Sequence, residues 1–369
     1  MFEQNKWYDK LPDESLAVYE PNLRLFFETM YERQMIWKRR FLDQQPFPWT
    51  ENPILRDNKF TNVYRELDRN SQWQIKNIML DEKLSLKNLV WKLMVFRFFN
   101  NPETFTFNPK NESVQLFNTI TTSSGKEITV TNIEDIIPAS KWRNGIPNYE
   151  EYNVEEFEYF IAGIRSFSKN PFTNAYLVNS GKIKGKGRDY YYTRVVIPAL
   201  HKSIPELIKV VLKAKDPQEI IDFLCTLPCV ANFIAHEFYQ DFTYIPRYTD
   251  KVFMRFTQDD WTNVGPGASV GIRLIFPNLK GKQQKEGIYK LRKMACDDLG
   301  KIGREKGELM PYLYWDKVNK KYQTYTACNI SLHQIEMWLC EFQKYWKMMI
   351  GEGKQRSKFQ MRTKELIVK

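Results

Sequence analysis

A chain of 369 residues, 43% hydrophobic and 15% aromatic, is long enough to bury a sizeable core and too long for one minimal domain, so two lobes are expected. Its 55 Lys and Arg against 44 Asp and Glu leave a net charge of +11, which suits polyanion partners without naming one. No apolar run approaches the roughly 20 residues that cross a bilayer, and “MFEQNKWYDKLPDESL” lacks the basic-then-apolar order of a secretion signal, so a cytoplasmic protein without a membrane segment is expected.

In chain order, the first predicted element is a helix in “LRLFFETMYERQMIWKRRFL”, where Leu23, Phe26, Phe27, Met30 and Ile36 fall on one face. The proline-rich “QQPFPWTENP” ends it. “FTNVYRELDRNSQWQIKNIM” and “LSLKNLVWKLMVFRFF” have the length and period of two further helices, completing an N-terminal helical lobe over residues 1–104. In “VQLFNTITTSSGKEITVTNI”, β-branched residues flank a Ser-Ser-Gly-Lys turn, which predicts a small hairpin. Helical spacing returns in “EEFEYFIAGIRSF”, and “NSGKIKGKGRDY” is a glycine and lysine loop without the spacing of a P-loop. Residues 105–200 therefore read as an insertion carrying a hairpin and helices.

Residues 201–369 begin with “IPELIKVVLKA” and “DPQEIIDFLC”, the latter with Asp216 as N-cap and Pro217 at the first helical position. “LPCV” turns the chain into the helix “NFIAHEFYQDF”. The end is a capped amphipathic helix from “SLHQ” that runs into a basic tail, with 8 Lys or Arg against 2 Glu from Gln343 onward. A second basic stretch, Lys280 to Lys306, holds 9 Lys or Arg against 4 acidic residues, and both are candidates for phosphate contact. The five cysteines form no CxxC pair and the three histidines are far apart, so neither structural zinc nor a disulfide framework is expected. Cys225 and Cys229 read as small buried apolar residues.

Several polar groups are candidates for chemistry. “DDWTNVGPGASVGIRLIF” leads through a Gly-Pro-Gly turn, Gly265 to Gly267, into an apolar helix whose first N–H groups could face an anion, with Asp259, Asp260 and Asn263 just before it. A helix cap and tight turn is the plainer reading. Asp241 sits among Phe238, Tyr239, Phe242 and Tyr244, where a carboxylate needs either an arginine partner or a catalytic task. Asn62, Arg65 and Arg69 fall at helical intervals beside Asp68, as a pocket wall or an interhelical network. Trp37, Trp49, Trp73, Trp91, Trp261 and Trp338 are interleaved with basic residues, which suits base stacking but more often builds core.

“ERQMIWKRR”, “PWTENPILRDNKFTNVYRELDR”, “FRFFNNPET”, “FTNAYLV”, “FIAHEFYQDF”, “DDWTNVGPGASVGI” and “IEMWLCEFQKYWKMMIGEGKQRSKF” follow one another along nearly the whole chain. In that order they resemble the alpha-glutamyl/putrescinyl thymine pyrophosphorylase-like family, related to helix-hairpin-helix DNA glycosylases and including a bacterial anti-phage glycosylase that excises glucosylated hydroxymethylcytosine. The resemblance implies a mainly α, two-lobed, helix-hairpin-helix glycosylase-like fold with a small β-hairpin insertion. It implies double-stranded DNA with bulky modified pyrimidines as partner, and carries over Asn62, Arg65, Asp68, Asp241, Asp260 and the Gly265 to Gly267 turn. Two positions depart from it: Gln34 stands where a histidine is expected, and Cys229 and Ala231 replace the hairpin glycines.

On this reading the protein is a monomeric, monofunctional DNA N-glycosylase. It flips the modified base into a cleft and stabilises an oxocarbenium-like state with a carboxylate. Asp241 or Asp260 would be that carboxylate and Asp250 a third candidate, with Asn62, Arg65, Asp68, Trp261, Asn263, Gly265 and Gly267 holding the substrate. No lysine lies between Leu227 and Asp250 to form a Schiff base, and no motif calls for a metal or a cofactor. The alternatives are a transferase acting on the exocyclic group of a hydroxymethyl-pyrimidine in DNA, and a non-catalytic reader of modified DNA.

Overall fold

The computed structural model describes residues 16–106, 119–129, 142, 145–167, 169–173, 183, 185–353 and 359. Most of the basic tail and residues 179–182 and 184 of the glycine and lysine loop lie outside them. The fold is mainly helical. Helix α1 (Glu20–Trp37) buries Leu23, Phe26, Phe27, Met30 and Ile36, the face its period predicts, and passes into a π-helical turn at Lys38–Leu42. Asn52 caps a short turn of helix at Pro53–Asp57. Helix α2 (Leu86–Phe99) starts at Ser85, whose hydroxyl accepts from the Asn88 N–H, and is apolar nearly all round because it is buried nearly all round.

Strands β1 (Thr119–Thr121) and β2 (Glu127–Thr129) pair antiparallel across the Ser-Ser-Gly-Lys turn, with Thr119 opposite Thr129 and Gly125 at φ +92°. Then come α3 (Val154–Ser166), α4 (Ile197–Lys213), α5 (Pro217–Cys225), α6 (Asn232–Tyr248), α7 (Pro266–Ile275) and α8 (Gln283–Glu305). A second antiparallel hairpin, β3 (Tyr312–Asp316) and β4 (Lys321–Tyr325), precedes α9 (Leu332–Met349). α4 continues the helical stretches Arg188–Tyr191 and Tyr192–Val196, and α5 opens with the predicted Asp216 cap, Oδ1 accepting from the Gln218 N–H at 2.7 Å.

Three expectations need correction. “FTNVYRELDRNSQWQIKNIM” is not one helix: it holds a 3₁₀ turn at Arg65–Leu67, a short α-helix at Arg69–Gln74 and a π-helical turn at Ile75–Met79, and Asn62 precedes them all. Asp68, extended at ψ 144°, breaks the run to bond back to Asn62. The β3–β4 hairpin was not foreseen. Cys296 and Cys328 form a disulfide across 32 residues, a single bond that spacing rules do not register.

The chain divides into two compact units, one of Met1–Gln72 with Phe256–Lys369 and one of Trp73–Arg255. In the first, α1, α7, α8 and α9 enclose a core that includes Phe26, Phe27, Ile272, Leu291, Leu299, Trp338 and Phe342. α7 and α9 approach so closely that a Cβ on Gly271 would lie 2.3 Å from the Leu339 carbonyl oxygen and one on Gly267 2.9 Å from Cys340 Sγ. In the second unit α2 packs against α4 and α6. Its core is aromatic: Phe99 stacks on Phe172 at 4.8 Å and Trp142 on Phe157 at 4.3 Å. Glu158 pins the β1–β2 turn, accepting from Ser123 Oγ at 2.6 Å, from the Ser124 N–H at 2.6 Å and from Arg194.

Candidate functional site

The sequence-predicted residues fall in local groups that belong to one unit or the other. In the first unit, Asp68 Oδ1 accepts from the backbone N–H and the Nδ2 of Asn62, both at 3.0 Å, and Oδ2 lies 3.2 Å from Arg65 Nε. Arg33 Nη2 donates to Asn62 Oδ1 at 2.7 Å. Desolvation pushes the Asp68 carboxyl above its ordinary range, against the pull of Arg65 and the Asn62 bonds. The three residues are thus together, joined by a turn rather than by a shared helical face.

Asp260 closes a local turn, its Oδ2 accepting from Thr257 N at 2.6 Å and Thr257 Oγ1 at 2.8 Å. Its neighbour Asp259 ties α8 to the start of α9, taking a bidentate pair from Arg292 at 2.9 and 3.1 Å and the Leu332 N–H at 2.9 Å. Trp261 is buried, with Lys285 Nζ 5.2 Å from its ring centroid. Asn263 is half-buried. At the Gly-Pro-Gly turn the Gly265 N–H donates to Glu336 Oε1 at 3.3 Å, so the anion at this helix start is the protein's own carboxylate. Gly265 and Gly267 serve the close approach of α7 to α9.

In the second unit Asp241 is fully buried inside α6 and bonded by Arg97, from Nε at 2.8 Å and Nη2 at 2.5 Å. Arg97 also donates to Glu237 Oε2 at 3.0 Å and Gln74 Oε1 at 3.2 Å. Desolvation pushes the Asp241 carboxyl up, while Arg97 pulls it back. The arginine partner is present. Asp250 is exposed just beyond the end of α6. The hairpin between α5 and α6 keeps its shape without glycine, Cys229 holding φ +63° in the left-handed region.

The residues that line a cavity are others. A hollow of about 570 Å³, within the usual range of small-molecule sites, opens in the first unit. Glu28 and Glu32, one turn apart on α1, form one wall, and Trp49 and Tyr345, 8% and 6% exposed, form the apolar part. Arg39 Nη1 links Glu32 Oε1 at 2.8 Å to the Trp49 carbonyl at 2.6 Å. Asn52, which caps the next helix through Oδ1, donates from Nδ2 to Tyr345 Oη at 2.8 Å, leaving the tyrosine proton to be donated elsewhere. Arg40 lies 4.6 Å over the Trp49 ring. The tryptophan is visible in the sequence, but the wall that faces it comes from residues 17 or more positions away. Among the described residues no group of His, Cys, Asp or Glu has the arrangement of a metal site, and no helix is long and apolar enough to cross a membrane.

Comparison with known proteins identifies the kinship. Residues 20–126 and 140–355 match the family described as 5-hmdU DNA kinase, helical domain. The 5-hmdU DNA kinase of Bacillus phage SP10 is 26% identical over 338 residues, covering 89% of this chain and 45% of that protein, so the chain spans under half the length of that relative. No solved structure matches. The matched family is a kinase's and acts on modified-pyrimidine DNA, so the expected N-glycosylase, a hydrolase leaving abasic sites, is corrected, as is the assignment to the thymine pyrophosphorylase family. A kinase transfers a phosphoryl group and leaves the glycosidic bond intact; the excision role for which Asp241, Asp250 and Asp260 were singled out goes with the glycosylase. The chain belongs to the 5-hmdU DNA kinase helical-domain family.

Proposed function

We propose that this chain engages DNA and recognises a 5-hydroxymethyl pyrimidine for phosphorylation of its exocyclic hydroxyl. The observation that carries the reading is the family match over residues 20–126 and 140–355, supported by the printed activity of the phage relative. The α5 and α6 pair with its turn at 226–231 is read as a helix-hairpin-helix element. The cavity of the first unit receives the base. Trp49 and Tyr345 offer stacking surface, the Tyr345 hydroxyl a donor for a carbonyl, and Glu32 Oε2, for which no partner is found among the described residues, an acceptor for a ring N–H or the hydroxymethyl O–H. Asn62, Arg65 and Asp68 fix the chain that follows the Trp49 to Asn52 loop.

Every Gly-Lys pair in the sequence is followed by Glu, Ile, Gly or Gln, never by the Ser or Thr of a P-loop. In this reading a nucleotide-binding component supplies the triphosphate and its metal ion, and the present residues present the hydroxyl.

The test compares duplexes with 5-hydroxymethyluracil or thymine at one position, in binding by the chain alone and in transfer of labelled γ-phosphate after the rest of a kinase of this family is added. Preference for the hydroxymethyl duplex, and label on it alone, are the expected results. Glu32→Gln should reduce the preference about tenfold, as expected for loss of a hydrogen bond to a charged group. Equal binding and no label, or alkali-labile sites in the modified duplex, would overturn the reading.

A further inference from the structure

The second unit holds an arginine that forms no salt bridge among the described residues. Arg188 opens the helical stretch Arg188–Tyr191, and its guanidinium lies 4.3 Å over the centroid of Phe172. Phe172 is 1% exposed and wedged between Phe99 at 4.8 Å and Tyr192 at 5.0 Å, so this floor is rigid. Nη2 donates to Asn170 Oδ1 at 3.2 Å, which orients the guanidinium without cancelling its charge. Nε is buried without a hydrogen-bond partner, and Nη1 has none among the described residues.

The adjacent acid, Asp189, attracts Arg188 but is bonded elsewhere. Asp189 is bound through both oxygens to Arg165, at 2.7 and 2.9 Å. Burial, then the charge of Arg165, lowers the proton affinity of Arg188, against the pull of Asp189 and Tyr192. The residues just before it include a lysine between two glycines. Among the described residues, Gly185 and Gly187 have no heavy atom within 4 Å of where a Cβ would stand, and Lys186 between them lies 4.8 Å over the Tyr190 ring.

A stacked guanidinium oriented by Asn170, with donor capacity left over and no salt bridge among the described residues, suits a phosphate oxyanion. We propose that Arg188, with Lys186 beside it, is a binding site for a phosphate oxyanion, the chemistry of a DNA backbone or of a nucleoside triphosphate. The DNA source rests on the proposed function; the anion site itself does not.

Two measurements on wild type, Arg188→Gln and Arg188→Lys decide it. In the first, binding to duplex DNA is followed from 50 to 200 mM salt. If the phosphate is the backbone's, Arg188→Gln loses about one unit of the log–log salt slope and about tenfold in affinity at 0.1 M salt, and Arg188→Lys keeps the slope while losing the part owed to the fork. In the second, thermal unfolding is followed with and without a nucleoside triphosphate or inorganic pyrophosphate. If the phosphate is a nucleotide's, both ligands raise the wild-type midpoint and leave that of Arg188→Gln unmoved, while the DNA salt slope is unchanged. Without ligand, Arg188→Gln should unfold no lower than wild type, because a half-buried charge without a salt bridge has been removed. A wild type that binds no DNA refutes the proposed function and leaves the second measurement to decide the site. The inference is overturned if Arg188→Gln matches wild type in both measurements, or if it unfolds well below wild type without ligand, which would make Arg188 a structural residue.

Discussion

At the scale of single residues, the buried charges divide by what their neighbours leave unpaired. Arg97 faces two carboxylates, Glu237 and Asp241, in a site with almost no water. Arg97→Met would leave both acids buried without their cation and should cost about 3–5 kcal/mol. Asp241→Asn keeps a hydrogen-bonding partner for Arg97, and Glu237 still balances the charge, so about 1–3 kcal/mol is expected. Urea denaturation of the two variants tests the order, and an equal or reversed pair of values would show that Glu237 is not part of the same network. Cys229 is a different case. Its left-handed backbone is the conformation a glycine would adopt without strain, so the hairpin retains its shape although the residue that usually permits it is gone.

At the scale of elements, contact between helices decides what local signals cannot. Gly271 has the composition of a weak spot in a helix, yet its hydrogen faces the Leu339 carbonyl where a methyl group has no room. Gly271→Ala should therefore destabilise the protein by about 1–3 kcal/mol through overpacking, whereas Gly300→Ala, with its nearest atom at 3.5 Å on the flexible Arg304 side chain, should stabilise it by about 0.5–1 kcal/mol. Thermal melts giving both variants the same sign would contradict the close packing of α7 on α9. The β1–β2 turn depends on a carboxylate. Burial raises the Glu158 carboxyl, but bonds from Ser123, Arg194 and Ser124 outweigh it and hold the group below its ordinary value. A lowered folded value means stability that is fully present above the unfolded value of about 4.3 and is lost as pH falls toward the folded one. Urea midpoints measured between pH 6 and pH 3 should fall less steeply on the acid side in Glu158→Gln than in wild type, and identical slopes would remove Glu158 from the account.

At the scale of the whole molecule, the unit Trp73–Arg255 is continuous in sequence, while the other is assembled from both sides of it. The continuous unit contains its own aromatic core, from Phe96 and Phe99 to Trp142, Phe172 and Phe238, and its own buried charge network. A fragment of residues 73–255 should therefore unfold cooperatively by itself, with helical circular dichroism. A gradual, non-cooperative melt would show that the unit needs the remainder of the chain.

By itself the sequence determined what depends on neighbours within a few turns: the buried face of α1, the Asp216 cap, the Ser-Ser-Gly-Lys hairpin and the amphipathic α9. Period, capping and turn chemistry act over three to five residues and can be read in order. The β3–β4 hairpin escaped because its turn has no glycine, Lys320 taking the left-handed conformation at φ +49°. The motif series pointed to DNA with modified pyrimidines, but the same kind of pocket can serve excision or group transfer, so the reaction was not legible in it. Only the tertiary structure decided which carboxylate meets which donor. Arg97 and Asp241 are 144 residues apart, Gly265 and Glu336 are 71 apart, and the cavity wall on α1 meets Tyr345 from the other end of the chain. Burial sets the electrostatic character of such groups, and burial is a property of the packed elements together.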